Sequence, residues 1–211
     1  MNTLVIDCAT EACSVALFDG DNLIAGESRV LGRGHAEQLV PMIAALPDKG
    51  RAGRIAVALG PGSFTGVRVG LAAARALAFA WGAELLGYPT LALVAAMARA
   101  QHAGAELTVA MTGGHGEWFV QQFSADGAAL APLSSLTPPQ AAALAGAALV
   151  AGSQAEALVA LRGSGSALPL LPDARQFALL RPTDLSADTA PLYGRGPDAR
   201  LPDARLPGAA A

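Results

Sequence analysis

The stretch that decides the fold reads Gly60-Pro61-Gly62-Ser63-Phe64-Thr65-Gly66-Val67-Arg68-Val69-Gly70. It follows residues 55–59, an apolar run that predicts a buried strand, and it precedes residues 71–81, which predict a helix. Closely spaced glycines permit a sharp turn and let backbone N–H groups approach another group. Ser63 or Thr65 can cap the helix. The start of that helix therefore meets a phosphate, another protein, or only the rest of this fold.

Known nucleotide loops and catalytic turns do not match this run. It lacks the Gly-Lys-[Ser/Thr] ending of a Walker A loop, and it is not the dinucleotide fingerprint. Residues 62–66 do not fit the Gly-x-Ser-x-Gly nucleophile elbow. The start of a helix can still hold an anion without these features, so a phosphate remains an alternative to a partner protein.

Metal chemistry has no support in the sequence. The three histidines, His35, His102 and His115, show no ligand spacing. The only cysteines, Cys8 and Cys13, are five positions apart, and we expect both to be ordinary small apolar residues. With nucleophile, base and metal all unsupported, the sequence favours a non-catalytic subunit.

The composition limits the classes of partner. Of 211 residues, 53% are hydrophobic and only 15% are charged, yet no stretch approaches the ~20 apolar residues that span a membrane. Asp7 and Glu11 interrupt the apolar start, which argues against a signal peptide and favours a cytoplasmic protein without a membrane partner. The net charge is −3 and the basic residues are scattered, so tRNA or other RNA would be held indirectly, by a partner. A charge-poor surface favours a protein–protein interface.

The order of predicted elements is typical of an α/β protein with mixed sheets. Three strands (near residues 4–6, 14–18 and 23–28) precede a helix over 35–46, in which Pro41 should cause a kink or delay the start. The central strand and helix, a strand over 84–87 and a helix over 90–99 capped by Thr90 complete an N-terminal lobe, residues 1–102. A smaller lobe, residues 103–190, has strands over 107–111, 118–123 and 148–151 with helices over 138–144 and 153–161. Residues 191–211 form a C-terminal segment, with a poorly ordered tail over 202–211.

The helix after the glycine run carries two further patterns. Gly70, Ala74 and Ala78 recur every four residues, so another helix, within the chain or across a dimer, could approach this small-residue ridge closely. Arg68 and Arg75 are seven apart and share a face, which favours a charged contact at the rim of the helix.

These segments together resemble the TsaB (YeaZ) family. The similarity is carried by residues 4–7 (Leu-Val-Ile-Asp), residues 34–41 (Gly-His-Ala-Glu-Gln-Leu-Val-Pro), the run at 60–70 and the closing residues 191–195 (Pro-Leu-Tyr-Gly-Arg). The resemblance implies a two-lobed actin/hexokinase/Hsp70-like (ASKHA) fold with a reduced second lobe. It implies a role in making N6-threonylcarbamoyladenosine (t6A) at position 37 of tRNAs that read ANN codons.

The resemblance also implies partners. Family members assist a catalytic paralogue, TsaD, alongside the ATPase TsaE, and form homodimers through first-lobe helices on a surface that overlaps the TsaD-binding one. The paralogue's metal-binding Asn-His-x-x-x-His corresponds here to residues 89–94, where Thr90 and Val94 replace the histidines. For the partner and dimer interface we predict His35, Glu37, Phe64, Arg68, Gly70, Leu71, Ala74 and Arg75.

Two departures bear on nucleotide binding. Thr112-Gly113-Gly114 replaces the family's usual Asp-Ala-Arg and is similar to the phosphate loop of TsaD, whereas Cys8-Ala9 replaces a Thr-Ser pair whose hydroxyls a phosphate could use. We expect no cofactor in the chain by itself and ATP or ADP in the complex, with Asp7, Gly113 and Gly114 as candidate contacts. The alternatives are an ATP-dependent enzyme of the same fold, in which Asp7 positions a metal-bound water, and a peptidase.

Overall fold

The structure, a computed structural model, describes residues 1–194 and contains two five-stranded mixed sheets within them. The predicted α/β class is thus confirmed. The first lobe contains β1 (Asn2–Asp7), β2 (Ala12–Asp19), β3 (Asn22–Val30), α1 (His35–Ala45), β4 (Arg54–Ala58), α2 (Phe64–Trp81) and β5 (Glu84–Tyr88). The helix α3 (Thr90–Gln101) leads to the second lobe. That lobe contains β6 (Leu107–Thr112), β7 (Trp118–Phe123), β8 (Ser134–Leu136), α4 (Pro138–Leu144), β9 (Leu149–Ala151), α5 (Ala155–Arg162) and β10 (Ser166–Leu168).

The two lobes repeat one topology. In the first sheet the order is β3-β2-β1-β4-β5, with β1 to β3 antiparallel and with β4 and β5 running parallel to β1. In the second sheet β8, β7 and β6 are likewise antiparallel, and β9 and β10 run parallel to β6. Each lobe therefore has the element order β-β-β-α-β-α-β, with a helix in each parallel crossover. Strands β8, β9 and β10 have three residues each, which makes the second lobe the smaller one.

The first sheet is covered on both faces. Ile6 pairs with Val15 across β1 and β2, and both side chains point towards α1 and α2. Ser14 is the next residue on β2, so its side chain points to the opposite face, where it accepts a hydrogen bond from the backbone N–H of Ala174. Because both faces are covered, β1 and β4 are apolar runs without the alternation of a half-exposed strand.

The end of the described chain returns to the first lobe. A 3₁₀ helix over Ala174–Leu179 places Phe177 against Phe18 and Tyr88, with ring centroids 5.9 and 5.8 Å apart. Ser186 exchanges two backbone hydrogen bonds with Gly87, at the edge of β5. The lobe boundaries at residues 102 and 190 stay predictions, but residues from Ala174 onward contribute to the first lobe. The predicted tail over 202–211 lies outside the described residues.

Three local predictions need correction. Helix α2 begins at Phe64, not at Leu71, because Ser63 accepts a hydrogen bond from the N–H of Gly66 and caps it there. Of the two alternatives for Pro41, the delayed start is wrong, because α1 begins at His35 and contains this proline, and the kink stays a prediction. Thr90 does not cap α3, because Pro89 occupies the N-cap position and the Thr90 hydroxyl is buried without a hydrogen-bond partner among the described residues. The sequence prediction also missed the short strands β8 and β10.

Candidate functional site

The turn between β1 and β2, residues 8–11, anchors both first-lobe helices. The carbonyl oxygen of Ala9 accepts from the N–H of Ser63, the cap of α2, at 2.7 Å. The carbonyl of Thr10 accepts from Nε2 of His35, the first residue of α1, at 2.8 Å. This hydrogen bond assigns the proton to Nε2, since a carbonyl only accepts. The starts of α1 and α2 are thus fixed by consecutive carbonyls of one turn.

Two glycines of the 60–70 run are required by this turn. A Cβ on Gly62 would lie 1.9 Å from the Ala9 carbonyl oxygen, and one on Gly66 would lie 2.1 Å from that of Cys8. Both distances are far inside van der Waals contact, so only glycine fits. The close backbone approach that the sequence predicts is therefore real, and the group approached is this chain's own turn.

The small-residue ridge of α2 faces inwards. Gly70, Leu71 and Ala74 are buried, and a Cβ on Gly70 would lie 3.5–3.8 Å from side-chain atoms of Cys8, Val57 and Ile6. The ridge thus packs a helix closely onto its own sheet. In the folded chain these three residues are buried, and their place in an interface stays a prediction.

The outer face of α2 carries the two arginines, as their spacing predicts, and both bind the returning C-terminal segment. Arg68 donates from Nε and Nη2 to the Tyr193 hydroxyl, at 3.3 and 3.2 Å, and its guanidinium stacks 3.5 Å above the Phe64 ring. Arg75 donates to the carbonyl of Thr189 at 2.8 Å. The predicted charged contact at the rim of the helix is therefore an intramolecular one.

The solvent-facing sides of α1 and α2 expose several small or apolar side chains, and we call this surface the α1–α2 face. The two helices pack beside each other on the first sheet. Phe79 is 92% exposed and Val40 is 61% exposed. The other small or apolar members are also exposed: Pro41, Ala44, Ala72 and Ala76. Sequence reasoning missed Phe79, although its place opposite the Gly70-Ala74-Ala78 ridge identifies it as an outward residue once the ridge is known to face inwards.

The remaining interface candidates differ in exposure. His35 is only 8% exposed and holds the turn, so its role is internal. Glu37 and Phe64 are exposed. Glu37 lines a cavity of about 430 Å³ between the starts of α1 and α2, together with Arg33 and Thr65. Of the eight predicted interface residues, the structure leaves Glu37, Phe64, Arg68 and Arg75 at the surface.

Asp7 is a buried carboxyl group at the end of β1. Its Oδ1 accepts from the N–H of Ala9 at 2.9 Å, and its Oδ2 lies 3.2 Å from the Tyr88 hydroxyl. Burial raises the pKa of Asp7 from 3.8 to about 7, because desolvation disfavours the charged form more than these two hydrogen bonds favour it. The same burial, together with the charge of Asp7, raises the pKa of Tyr88.

The candidate phosphate contacts Gly113 and Gly114 lie in the turn between β6 and β7. The N–H of Gly113 donates to the Glu117 carbonyl, and the N–H of Glu117 donates to that of Gly114. A Cβ on Gly113 would lie 2.7 Å from the Glu117 oxygen, so the tight turn itself accounts for this glycine. The Gly113 amide is thus already occupied by an internal bond.

The positions that hold metal ligands in the paralogue are buried in α3. Thr90 and Val94 are both inaccessible to solvent, and Val94 belongs to the core of the second lobe. Across residues 1–194, no group of three or more His, Cys, Asp or Glu side chains is placed to hold a metal ion. No helix within that range is long and apolar enough to cross a membrane.

The duplicated lobes on either side of α3 define the class of protein: the fold is that of the actin/hexokinase/Hsp70-like proteins. The family model described as TsaD, tRNA N6-adenosine threonylcarbamoyltransferase, matches residues 29–168, which is more than half of the chain. The chain belongs to this family and, by its relatives, to the TsaB/YeaZ group within it.

Three of the curated relatives are named tRNA threonylcarbamoyladenosine biosynthesis protein TsaB. The Escherichia coli protein is 33% identical over 131 residues, which cover 60% of this chain and 56% of that protein. The Haemophilus influenzae protein is 40% identical over 106 residues, which cover 47% of this chain and 43% of that one. The chain therefore spans about half the length of the curated relatives that it matches.

A solved structure extends the similarity over nearly the whole chain. YeaZ from Pseudomonas aeruginosa is 28% identical, with a TM-score of 0.75, and the match covers 91% of this chain and 99% of that one. Both lobes, and not only the first, therefore share the YeaZ fold.

Proposed function

We propose that this chain is a non-catalytic subunit required for t6A synthesis at position 37 of ANN-decoding tRNAs, and that it binds and activates a TsaD-type catalytic subunit. Family membership supports a role in t6A biosynthesis. The observation that carries the binding role is the α1–α2 face, where Phe79 is 92% exposed. Burying a phenylalanine side chain contributes up to about 3 kcal/mol, so a partner that covers this ring gains affinity from it.

The interior of α3 supports the non-catalytic role. Thr90 and Val94 occupy the positions of the paralogue's metal histidines, and both are packed in the protein interior. Neither side chain can replace an imidazole ligand. The metal chemistry of the reaction then belongs to the TsaD-type partner.

The proposal includes the other partners. Without its catalytic partner the chain forms a homodimer, in which the α1–α2 face of one copy packs against the α1–α2 face of the other. A TsaE-type ATPase joins the complex, and tRNA is held indirectly, since the net charge of this chain is −3. The complex acts in the cytoplasm.

We propose that the chain has no cofactor of its own and that ATP or ADP binds in the complex. Of the candidate contacts, Asp7 is buried and its pKa of about 7 leaves much of it protonated at neutral pH. The Gly113 amide is engaged with Glu117. Both features disfavour phosphate binding by the chain alone.

The binding role is tested with Phe79→Asp, and Leu130→Asp serves as the matched control. Leu130 is also exposed, at 54%, but it lies in the second lobe. We expect Phe79→Asp to weaken binding to a TsaD-type partner more than about tenfold, equivalent to over 1.4 kcal/mol, and to shift the homodimer to monomer in sedimentation. The control should leave both unchanged. Equal affinity in the two variants would refute this placement of the interface.

The non-catalytic role is tested by reconstitution. We expect no modified tRNA from the purified chain alone and modification once a TsaD-type subunit and the other components are added. Modification of tRNA by the chain alone would contradict the proposal. An ATPase activity that disappears in Asp7→Asn would instead support the ATP-dependent enzyme.

A further inference from the structure

Cys8 and Cys13 face each other across the turn between β1 and β2. Their Sγ atoms lie 3.5 Å apart, and the side chains are 2% and 0% exposed. The pairing of β1 with β2 ends at Asp7 opposite Ser14, so Cys8 and Cys13 are the next opposed pair. Directly opposed residues have Cβ atoms about 4.5–5.5 Å apart, close to the roughly 3.5–4.5 Å that a disulfide requires.

We propose that Cys8 and Cys13 are a reversible dithiol that a small-molecule disulfide oxidises to an internal cross-strand disulfide. In the first step the thiolate of one cysteine attacks the oxidant, forms a mixed disulfide and releases one thiolate of the reagent. The second cysteine loses its proton and attacks the sulfur of the first, and the second half of the reagent leaves as a thiol. Two protein thiols become one disulfide, and the oxidant is reduced to two thiols.

The contacts of the pair favour Cys13 as the first attacker. A hydrogen bond from the Cys8 thiol to Cys13 stabilises the Cys13 thiolate, which lowers the pKa of Cys13 and raises that of Cys8. The nearby Asp7 charge opposes ionisation of either thiol, but Asp7 itself holds its proton more strongly than a free carboxyl group.

The position of the pair links its redox state to both first-lobe helices. The residues between the cysteines are those whose carbonyls hold Ser63 and His35. Glu11, also between them, accepts from the N–H groups of Leu31 and Gly32. Closing the sulfurs to about 2.0 Å tightens this turn, and its hydrogen-bond partners are the starts of the helices that form the α1–α2 face. The disulfide chemistry does not depend on the proposed function.

The experiment uses the reduced full chain and glutathione disulfide. After incubation under native conditions, free thiols are trapped with N-ethylmaleimide and the intact mass is measured. We expect a loss of about 2 Da, because two hydrogens leave as the disulfide forms, with no trapped thiol and full reversal by dithiothreitol. Both thiols remaining free until the protein unfolds, or a stable glutathione adduct on one cysteine, would overturn the proposal.

Peptide mapping tests the order of the two attacks, and hydrogen exchange tests the link to the helices. In the wild type, quenched early in the reaction, the first glutathione adduct should lie on Cys13, and an adduct on Cys8 would overturn the assignment. The mass measurement on the fully reacted wild type decides the central proposal. In the disulfide form, the amides of Leu31 and Ser63 should exchange at least severalfold more slowly, and unchanged exchange there would refute the link to the helices.

Discussion

Alanine substitution of Gly66 and of Gly70 tests how α2 is seated on the turn. Both glycines lie within the same helix, and alanine is favoured over glycine there by about 1 kcal/mol. The two sites differ in what the new methyl group meets. At Gly66 it meets the backbone oxygen of Cys8 at 2.1 Å, whereas at Gly70 its nearest neighbour is the Cys8 Cβ at 3.5 Å.

The predicted effects have opposite signs. Gly66→Ala requires a shift of more than an ångström between two backbone segments, which costs about 3 kcal/mol at the upper end of measured overpacking. The helix propensity offsets about 1 kcal/mol, so the free energy of unfolding falls by about 2 kcal/mol. Gly70→Ala places its methyl group at ordinary contact distance, so that variant gains about 1 kcal/mol.

Thermal unfolding followed by circular dichroism measures the stability change of both variants. For a chain of this size 1 kcal/mol corresponds to about 2–4 °C in Tm. Gly66→Ala should therefore melt about 4–8 °C below the wild type, and Gly70→Ala about 2–4 °C above it. A Gly66→Ala protein as stable as the Gly70→Ala protein would refute the close contact between α2 and Cys8.

Two further predictions concern charge. The pKa of Asp7 rises from 3.8 to about 7 on folding. Between about pH 4 and pH 7 the native state therefore keeps a proton that the unfolded chain loses. The free energy of unfolding should fall by about 1.4 kcal/mol per pH unit over this range and be constant above it. Asp7→Asn should remove this slope in a series of melts, and its Tm should exceed the wild-type value at pH 8 but not at pH 4; a constant difference would contradict the assignment. Arg68→Ala should destabilise the protein by about 1 kcal/mol, since it loses the Tyr193 hydrogen bonds and the Phe64 contact. Tyr193→Phe should lower the free energy of unfolding by less than Arg68→Ala does, because its ring still packs on Phe64. Hydrogen exchange tests the contact: residues 189–193 that are protected equally in the wild type and in Arg68→Ala would refute it.

The sequence predicts the order of the main elements because their apolar periodicity is strong. The central strand and the helix at 138–144 lie within about one residue of where the pattern puts them. The start of α2 was misplaced because glycines were interpreted as part of a turn. Gly66 lies inside the helix for a tertiary reason, the close approach of the Cys8 carbonyl oxygen, which no local pattern reports.

At the candidate site, too, residue spacing predicts which side chains share a face but not what they contact. The face shared by Arg68 and Arg75 follows from their spacing alone, and the structure adds what they bind. The direction of the Gly70-Ala74 ridge could not be decided, since a small-residue stripe suits the chain's own sheet as well as a partner helix. The surface that the ridge packs against includes Ile6 of β1, which is distant in sequence from α2.

The return of the C-terminal segment has a consequence for the synthesis of the protein. Ala174 binds Ser14 across 160 positions, and Tyr193 binds Arg68 across 125. The first lobe therefore cannot reach its native packing as soon as its own strands leave the ribosome, because Phe18 and Tyr88 pack against Phe177, which is translated much later. Contacts of such long sequence separation slow folding. We expect the N-terminal lobe, although translated first, to reach its final packing only after most of the second lobe has been made.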